Sequence, residues 1–268
     1  MVYKTSKGQR WFERSSRGRT QEEWAPFSAY FNGPRETWRR ATRPRSLFLT
    51  TAAQLNCAQL KPLFDWIVNS VTIVTWRGAA SLWPTLRRLG EPAFKRRVLE
   101  LLRAADMRIA DIRVDDQEPD EREEPHVRYL HEMEGGGSIE FDNRQESPGT
   151  QRLLAYLGPL LEALESGKLL VIDELDSSLH PMLTRLILRL AHDPRTSMCN
   201  AQLCATTHDT SLLDTRILRR DQIWFVEKDP QQASWVYPLA DFSPRKHEAL
   251  ERGYLRGRYG ALPLARGK

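Results

Sequence analysis

A short apolar run that ends in two carboxylates, followed by a helix and a second apolar run, constrains the fold of this chain most strongly. Residues 168–173 read KLLVID and are followed by Glu174, and residues 201–209 read AQLCATTHD. Between them lies PMLTRLILRLAHD, whose periodicity predicts a helix with Pro181 in its first turn. A helix between two apolar strands forms a βαβ unit, in which the strands are parallel. The sequence therefore predicts an α/β fold with a partly parallel sheet, whose two apolar strands are buried on both faces.

The surrounding pattern predicts further helices and strands. TQRLLAYLGPLLEALES places its leucines on one stripe of a helix, which Gly158 and Pro159 are expected to kink or interrupt and Gly167 to end. AFKRRVLELLRAA has the spacing of an amphipathic helix with a basic outer face, and LKPLFDWIV that of a helix with one apolar face. QIWFVEK and SWVYPL indicate later strands.

The chain divides into a less regular and a more regular region. Residues 1–46 are rich in arginine and hold little periodic apolar pattern, which favours a solvated, partly irregular region over a nucleic-acid-binding arm. Residues 114–126, VDDQEPDEREEPH, favour an exposed acidic loop over a metal site, because nothing fixes a ligand geometry. We therefore predict a basic and helical region over 1–145 and a core lobe over 146–268.

Composition narrows the class of protein. Charged residues make up 28% of the chain and the formal net charge is +5, an excess too small to indicate nucleic-acid binding by itself. No apolar run is close to the length that a transmembrane helix needs, and the N-terminus lacks the apolar core of a signal peptide. The three cysteines lack metal-ligand spacing, and their odd number argues against a disulfide framework. These features predict a globular protein of the reducing cytoplasm with no membrane partner.

Candidate chemical groups follow the two apolar strands, at the strand ends where ligands of parallel sheets bind. Asp173 is a candidate ligand of Mg²⁺, a hard cation that keeps several waters and shares phosphate oxygens. Glu174 is a candidate to polarise an attacking water, and His208 to donate a hydrogen bond to a γ-phosphate. The alternative is a carboxylate that caps the following helix and a structural histidine. Their occurrence at adjacent strand ends favours a catalytic role.

A second candidate is the start of the long helix, where residues 145–153 read QESPGTQRL. Ser147, Gly149 and Thr150 precede free helical N–H groups, which together with the helix dipole favour an anion. Taken alone, the same residues are explained more simply as an ordinary helix cap.

The order of these motifs resembles that of ABC-type ATPases in the SMC, RecF and OLD branch, with their signature motif, Walker B motif, D-loop and switch histidine. ESPGTQRL, LLVIDELDSSLHP, NAQLCATTHDTSLLD and ERGYLRGRYGALP are also similar to segments of stand-alone AAA-family ATP-binding proteins of bacteria. Those proteins are often encoded in phage-defence or abortive-infection loci. The resemblance covers roughly residues 146–263 and extends more weakly to LFLTTAAQLN upstream.

The resemblance implies an ABC-type P-loop NTPase fold, with residues 146–268 as its C-terminal lobe and ATP and Mg²⁺ as cofactors. It implies that Asp173 is the Walker B carboxylate, Glu174 the catalytic base and His208 the switch histidine. It further implies a signature that touches the γ-phosphate of a partner's ATP and a D-loop that crosses the dimer interface. The signature consists of Ser147, Gly149 and Thr150, and the D-loop of Ser178, Leu179 and His180.

The phosphate loop of that family is missing from this sequence. Such a loop has the form G-x-x-x-x-G-K-[ST], because backbone N–H groups wrap the phosphates and the lysine neutralises them. No segment of this form occurs in the 268 residues. The resemblance implies that the loop belongs to an N-terminal lobe ahead of this region. We therefore expect the chain to be the C-terminal portion of an ATPase, as a truncated product, as half of a split gene or as a form that has lost activity.

Three functional hypotheses remain open. The first is an ABC-like ATPase subunit that dimerises, or joins a partner carrying the phosphate loop, and controls an effector protein. The second is a remnant or partner-binding module without turnover. The third is a DNA-associated repair or nuclease-type ATPase, in which Arg256 and Arg258 would meet phosphate, although solvated arginines or local ion pairs explain these residues more simply.

Overall fold

The computed structural model describes residues 10–17, 21–76, 80–114, 125–197, 199–244 and 249–262. The chain forms two compact units, Met1–Val71 and Thr72–Lys268. The predicted division was a basic and helical region over 1–145 and a core lobe over 146–268. It refers to functional parts of the chain as well as to compact units, and it stays a prediction.

The first unit contains a short hairpin and three helices. Strands β1 (Arg14–Arg17) and β2 (Gln21–Trp24) pair antiparallel. They are followed by α1 (Arg35–Ala41), α2 (Phe48–Gln54) and α3 (Lys61–Ser70).

An aromatic cluster holds this first unit together. Phe31 is fully buried, and its ring lies within about 6 Å of five other aromatic side chains, as expected of an aromatic core. Trp38 and Phe48 are also buried there. The expectation of a solvated region over residues 1–46 is therefore wrong for its later part, because these aromatic residues bury large areas without a regular spacing that the sequence pattern could reveal.

Helix α3 is the helix that LKPLFDWIV predicted, but its apolar face is not buried. All ten of its residues are described, and none of them is buried. Leu63 and Trp66 are each about half exposed. Helical spacing shows which residues share a face, but burial needs a partner surface, which helical spacing does not show.

The second unit carries the remaining elements. Its helices are α4 (Trp83–Leu86), α5 (Pro92–Ala104), α6 (Pro148–Ser166), α7 (Pro181–His192) and α8 (Leu250–Leu255). Its strands are β3 (Val71–Val74), which starts at the last residue of the first unit, β4 (Ile109–Val114), β5 (Val127–Glu132), β6 (Ser138–Asp142), β7 (Leu169–Ile172), β8 (Gln202–Ala205), β9 (Trp224–Lys228) and β10 (Ser234–Pro238).

The predicted α/β fold with a partly parallel sheet is confirmed. Strands β7 and β8 pair in parallel with α7 between them in sequence, and β3 completes a sheet in the order β3–β7–β8. Strands β4, β5 and β6 form a separate antiparallel sheet, and β9 pairs with β10 in an antiparallel hairpin. The predicted acidic loop lies mostly in residues 115–124, outside the described residues.

The predicted burial of β7 and β8 on both faces is wrong. Leu170 and Ile172 are buried, but burial alternates along both strands, and Gln202 and Cys204 of β8 are exposed. Alternating burial is the pattern of a sheet covered fully on one face. A continuous apolar run cannot tell this arrangement from a strand buried on both faces.

Helix α6 is continuous through Gly158 and Pro159, so the expected interruption does not occur. The hydroxyl group of Thr85, at the N-terminal side of the same unit, donates to the carbonyl oxygen of Leu154 (2.6 Å) and accepts from the N–H of Gly158 (2.9 Å). One hydroxyl group thus bridges a carbonyl oxygen and an N–H that lie four residues apart on α6. Gly167 ends the helix in a left-handed conformation, as predicted.

The core of the second unit lies between α6 and the sheet. Leu153, Leu157, Leu160, Leu161 and Leu164 of the predicted stripe are all buried. They belong to one cluster with the buried residues of α5, β4, β5 and β7. The strand β7, which carries the candidate carboxylates at its end, is thereby anchored to the longest helix.

Candidate functional site

The two loops that follow β7 and β8 continue side by side past the ends of the strands. The N–H of Thr206 donates to the carbonyl oxygen of Ile172 (3.0 Å), and the N–H of Leu175 donates to that of Thr206 (2.9 Å). The N–H of Asp173 donates to the carbonyl oxygen of Val74 at the end of β3 (3.3 Å). Asp173 and Glu174 are exposed at this shared carboxyl edge of the sheet, as expected for a ligand site.

Thr206 connects both candidate carboxylate residues to β8. Its hydroxyl group donates to Oδ1 of Asp173 (2.6 Å) and accepts from the backbone N–H of Glu174 (2.8 Å). This arrangement fixes the carboxylate of Asp173 while its second oxygen remains available. Thr206 was not predicted from the sequence to be a site residue. Its position two residues before His208, in the motif TTHD, was the signal that could have revealed it.

His208 lies in the loop that is tied to the same carboxylate segment. Its backbone N–H donates to Oδ1 of Asp176 (3.1 Å), and its side chain is exposed. The structure therefore brings the segment 173–176 and the segment 206–208 together. Asp176 belongs to the motif DELD, but the sequence pattern did not indicate a role for it.

The backbone of this segment contains two non-glycine residues in the left-handed region. Glu174 has φ +52° and Ser178 has φ +60°. A hydrogen bond from the N–H of Ser177 to the carbonyl oxygen of Glu174 (3.0 Å) closes the turn between them. Such conformations cost about 1–3 kcal/mol each and persist where surrounding contacts impose them, often at functional sites.

The start of α6 forms a regular helix cap. Oγ of the exposed Ser147 accepts from the N–H of Thr150 (3.0 Å) and lies 2.8 Å from its hydroxyl oxygen. A Cβ atom on Gly149 would lie 3.1 Å from the carbonyl oxygen of Ser178, so this helix turn packs closely against the D-loop segment of the same chain. The cap explains the local geometry, and the role of Ser147, Gly149 and Thr150 towards a partner's phosphate stays a prediction.

The D-loop candidates differ in their environment. Ser178 is exposed, whereas Leu179 is buried at 8% exposure. The exposed His180 caps α7, since its Nδ1 accepts from the N–H of Met182 (3.2 Å) and Pro181 follows it at the first helical position. Contacts of Ser178 and His180 across a dimer interface stay a prediction.

Two buried polar residues of α6 lie behind the carboxylates. Burial raises the pKa of Tyr156, the positive charge of Arg152 opposes this, and the charges of Asp176, Glu174 and Asp173 add to the rise. Arg152 and Tyr156 both lie in the segment TQRLLAY, whose sequence pattern predicted only the apolar stripe of a helix.

The site fits a magnesium ion that is held mostly by waters and phosphate oxygens. Among the described residues, no group of three or more His, Cys, Asp or Glu side chains is arranged to hold a metal ion. Asp173 nevertheless presents a fixed, exposed carboxylate of the hard oxygen type that Mg²⁺ prefers. One or two carboxylates plus substrate phosphates are the usual Mg²⁺ environment in nucleotide-hydrolysing sites.

The described residues include no helix that is long and apolar enough to cross a membrane. The three cysteines, Cys57, Cys199 and Cys204, are free thiols.

Comparison with known proteins identifies a family for this fold and site. A search of curated proteins finds no match to the chain. A family model described as "AAA domain, putative AbiEii toxin, Type IV TA system" matches residues 60–214. The match covers more than half of the 268 residues and includes the start of α6, the carboxylates after β7 and His208. AAA domains as a class bind and hydrolyse ATP, which indicates an ATPase-like nucleotide-binding function. The chain belongs to this AAA domain family.

Proposed function

We propose that this chain forms the Walker B side of an ATPase that converts ATP and water to ADP and phosphate. The observation that carries the proposal is the edge formed after β7 and β8. There, one hydroxyl group holds Asp173 and the backbone of Glu174, and a backbone bond to Asp176 holds the loop of His208 alongside. Carboxylates and a histidine at adjacent strand ends are suited to phosphoryl transfer, because that reaction needs mainly positioning and charge stabilisation.

Each residue has a distinct role in this proposal. Asp173, fixed by Thr206, would hold the water shell of Mg²⁺ with its free oxygen. The metal ion would neutralise charge on the β- and γ-phosphates. Glu174 would orient the attacking water and accept its proton, and His208 would donate a hydrogen bond to the γ-phosphate.

Retention of the triphosphate requires a phosphate loop from outside these 268 residues, since the sequence contains no G-x-x-x-x-G-K-[ST] segment. In our proposal the loop comes from a further segment of a longer protein or from a separate chain. A second copy would then place Ser147, Gly149 and Thr150 against the γ-phosphate, with Ser178 and His180 at the interface. The exposure of Ser147, Ser178 and His180 is compatible with such an assembly.

The family description names a putative AbiEii toxin and a type IV toxin–antitoxin system, and this wording supports a proposal for the biological setting. We propose that ATP-driven association controls an effector protein in a phage-defence or abortive-infection system of the cytoplasm. Binding of nucleic acid is a further property to test, and the exposed Arg256 and Arg258 are the residues to replace in that test.

The test is steady-state phosphate release by the chain assembled with the segment or protein that supplies the phosphate loop. We expect turnover to depend on Mg²⁺ and to fall by about 10²-fold or more in Glu174→Gln, because the amide cannot accept a proton. ATP binding should remain in this variant. The matched control is Glu100→Gln, which neutralises an exposed glutamate on α5 whose ion pair with Arg97 spans 3.5 Å.

Equal turnover in Glu174→Gln and in the wild-type assembly would refute the catalytic role. An assembly that binds ATP but never hydrolyses it would instead support the hypothesis of a binding module without turnover.

A further inference from the structure

Arg152 of α6 is a buried cation with an unusual set of contacts. It is only 3% exposed. Its Nε donates to the backbone carbonyl oxygen of Ser177 (3.0 Å), and its guanidinium lies 4.6 Å from the ring centre of Trp76. An arginine next to an aromatic ring is attracted to the ring by its charge, and this attraction favours an ordered side chain.

The carbonyl that Arg152 binds belongs to the turn that carries Glu174. The N–H of Ser177 donates to the carbonyl oxygen of Glu174, so a single residue, Ser177, links the arginine to the backbone of the candidate base. Both Glu174 and Ser178 adopt left-handed conformations here, which surrounding contacts have to maintain. The bond from Arg152 is one such contact, and the close approach of Gly149 to Ser178 is another.

The polar atoms around Arg152 are not arranged for maximum stability. Nη1 of Arg152 and the hydroxyl group of Tyr156 are buried and have no hydrogen-bond partner among the described residues. A buried donor without a partner costs about 1–3 kcal/mol, and more when it is charged. An apolar side chain of similar volume would avoid this cost. The arginine is therefore better explained by what it holds than by a contribution to stability.

A second arginine makes the same kind of contact with the neighbouring loop. Arg185 of α7 donates from Nη2 to the carbonyl oxygen of Ser211 (2.9 Å), in the loop that follows His208. In both cases a helical arginine holds the backbone of a loop that leaves the sheet with a candidate catalytic residue. Arg185 thus provides a matched comparison for Arg152.

We propose that Arg152 is a positioning residue that holds the turn of Glu174 against the helix that begins at Ser147. It would make the start of α6 and the segment 174–178 move together, so that contact of a partner's phosphate with Ser147 sets the position of the catalytic base. The role of Glu174 in this statement rests on the proposed function, whereas the mechanical link between α6 and the turn does not.

The link is tested by amide hydrogen exchange of the full chain without nucleotide, in the wild type, Arg152→Met and Arg152→Lys. Methionine keeps an apolar stem of similar length but removes the hydrogen bond. We expect exchange in the segment 174–179 to become about ten-fold faster or more in Arg152→Met, because local opening determines the exchange rate there. Lysine keeps the charge and an N–H donor group, so it should restore part of the protection. Exchange in β7 and β8 should stay unchanged.

Arg185→Met is the matched control, and it should accelerate exchange around residues 209–213 while leaving 174–179 protected. If Arg152→Met does not fold, Gly149→Ala provides a second route, since its Cβ would press on the carbonyl oxygen of Ser178 at 3.1 Å and should loosen the same turn. Unchanged exchange at 174–179 would overturn the proposal, and so would an increase spread evenly over the chain, which would indicate a structural role only. These readouts need no ATP, so a failure of ATP turnover would refute the proposed function without affecting the result.

Discussion

At the scale of single residues, the geometry of the site depends on groups that carry no charge. The hydroxyl group of Thr206 connects Asp173, Glu174 and β8, although Thr206 itself has no chemical role in the proposed reaction. The left-handed backbone conformation of Glu174 is likewise an uncharged feature that shapes the site, since it sets the direction in which the side chain leaves the backbone. Preorganisation of this kind is what makes two carboxylates into a site rather than a pair of surface charges.

Replacement of Thr206 tests this interpretation. Thr206→Val keeps the shape of the side chain but removes the donor to Asp173 and the acceptor for the N–H of Glu174. We expect the free energy of unfolding to fall by about 1 kcal/mol, the usual net value of such hydrogen bonds, in urea unfolding experiments. Thr206→Ser keeps the hydroxyl group and should stay close to the wild type. A valine variant as stable as the wild type would contradict the interpretation, and a loss as large in serine as in valine would show that the hydroxyl group alone does not account for the effect.

A second residue-scale prediction concerns alkaline pH. Burial, together with the hydrogen bond and charge of Glu227, raises the pKa of Tyr237 to about 12. An unfolded tyrosine releases its proton near pH 10, so the folded chain keeps a proton there that the unfolded chain loses. The contribution to stability is complete below pH of about 10 and is lost as the pH rises towards about 12.

The measurement is the free energy of unfolding at several pH values above 9 in the wild type and in Tyr237→Phe. The decline with pH should be shallower in the variant. It should not vanish, because burial also raises the pKa of Tyr129. An identical decline in both proteins would contradict the assignment to Tyr237.

At the scale of elements, α6 is the organising helix of the second unit. Its first turn carries the candidate signature, its second turn carries Arg152, and its leucines form the core beneath β7. Thr85 contacts the helix next to Pro159, where the threonine hydroxyl group bridges Leu154 and Gly158. Proline removes a helical N–H, and α6 nevertheless continues past Pro159 to Ser166.

The fit of Thr85 against α6 gives the element-scale prediction. In Gly158→Ala the added Cβ would lie 2.5 Å from Oγ1 and 2.7 Å from Cα of Thr85. Both elements have to separate, so we expect a loss of about 1–3 kcal/mol in the free energy of unfolding, as for overpacked cores. Gly90→Ala is the control, since no atom lies within 4 Å of its added Cβ. Equal stabilities of the two variants would mean that α6 and Thr85 do not pack as described.

At the scale of the whole molecule, the 268 residues contain no phosphate loop of the form G-x-x-x-x-G-K-[ST], which the proposed function requires. We expect the purified chain alone to show little or no ATP hydrolysis, measured as phosphate release. The missing lysine and N–H groups supply charge stabilisation, which is often the largest catalytic contribution. Robust turnover by the chain alone that is lost in Glu174→Gln would show that it contains a phosphate site of a different form.

The sequence alone determined the order and type of the elements around the site. The apolar runs, the intervening helix and the residues that follow each strand predicted a parallel pair with Asp173, Glu174 and His208 at one edge. The parallel pair is confirmed, because strand connection rules convert local patterns into neighbouring parallel strands, whereas the roles of Asp173, Glu174 and His208 stay predictions. The same reasoning predicted the leucine stripe of α6, all of which is buried.

The tertiary structure alone decided which faces are covered and how the loops are held. The exposure of Cys204, the insertion of Thr85 into α6 and the bond from Arg152 to Ser177 depend on residues far apart in sequence meeting in one register. Periodicity reports which residues share a face of one element, but it contains no information about the surface that the face meets. A hydrogen bond between distant residues depends on positions set to a fraction of an ångström by the packing of the whole unit, and this is why the sequence predicted the carboxylates but not the residues that hold them.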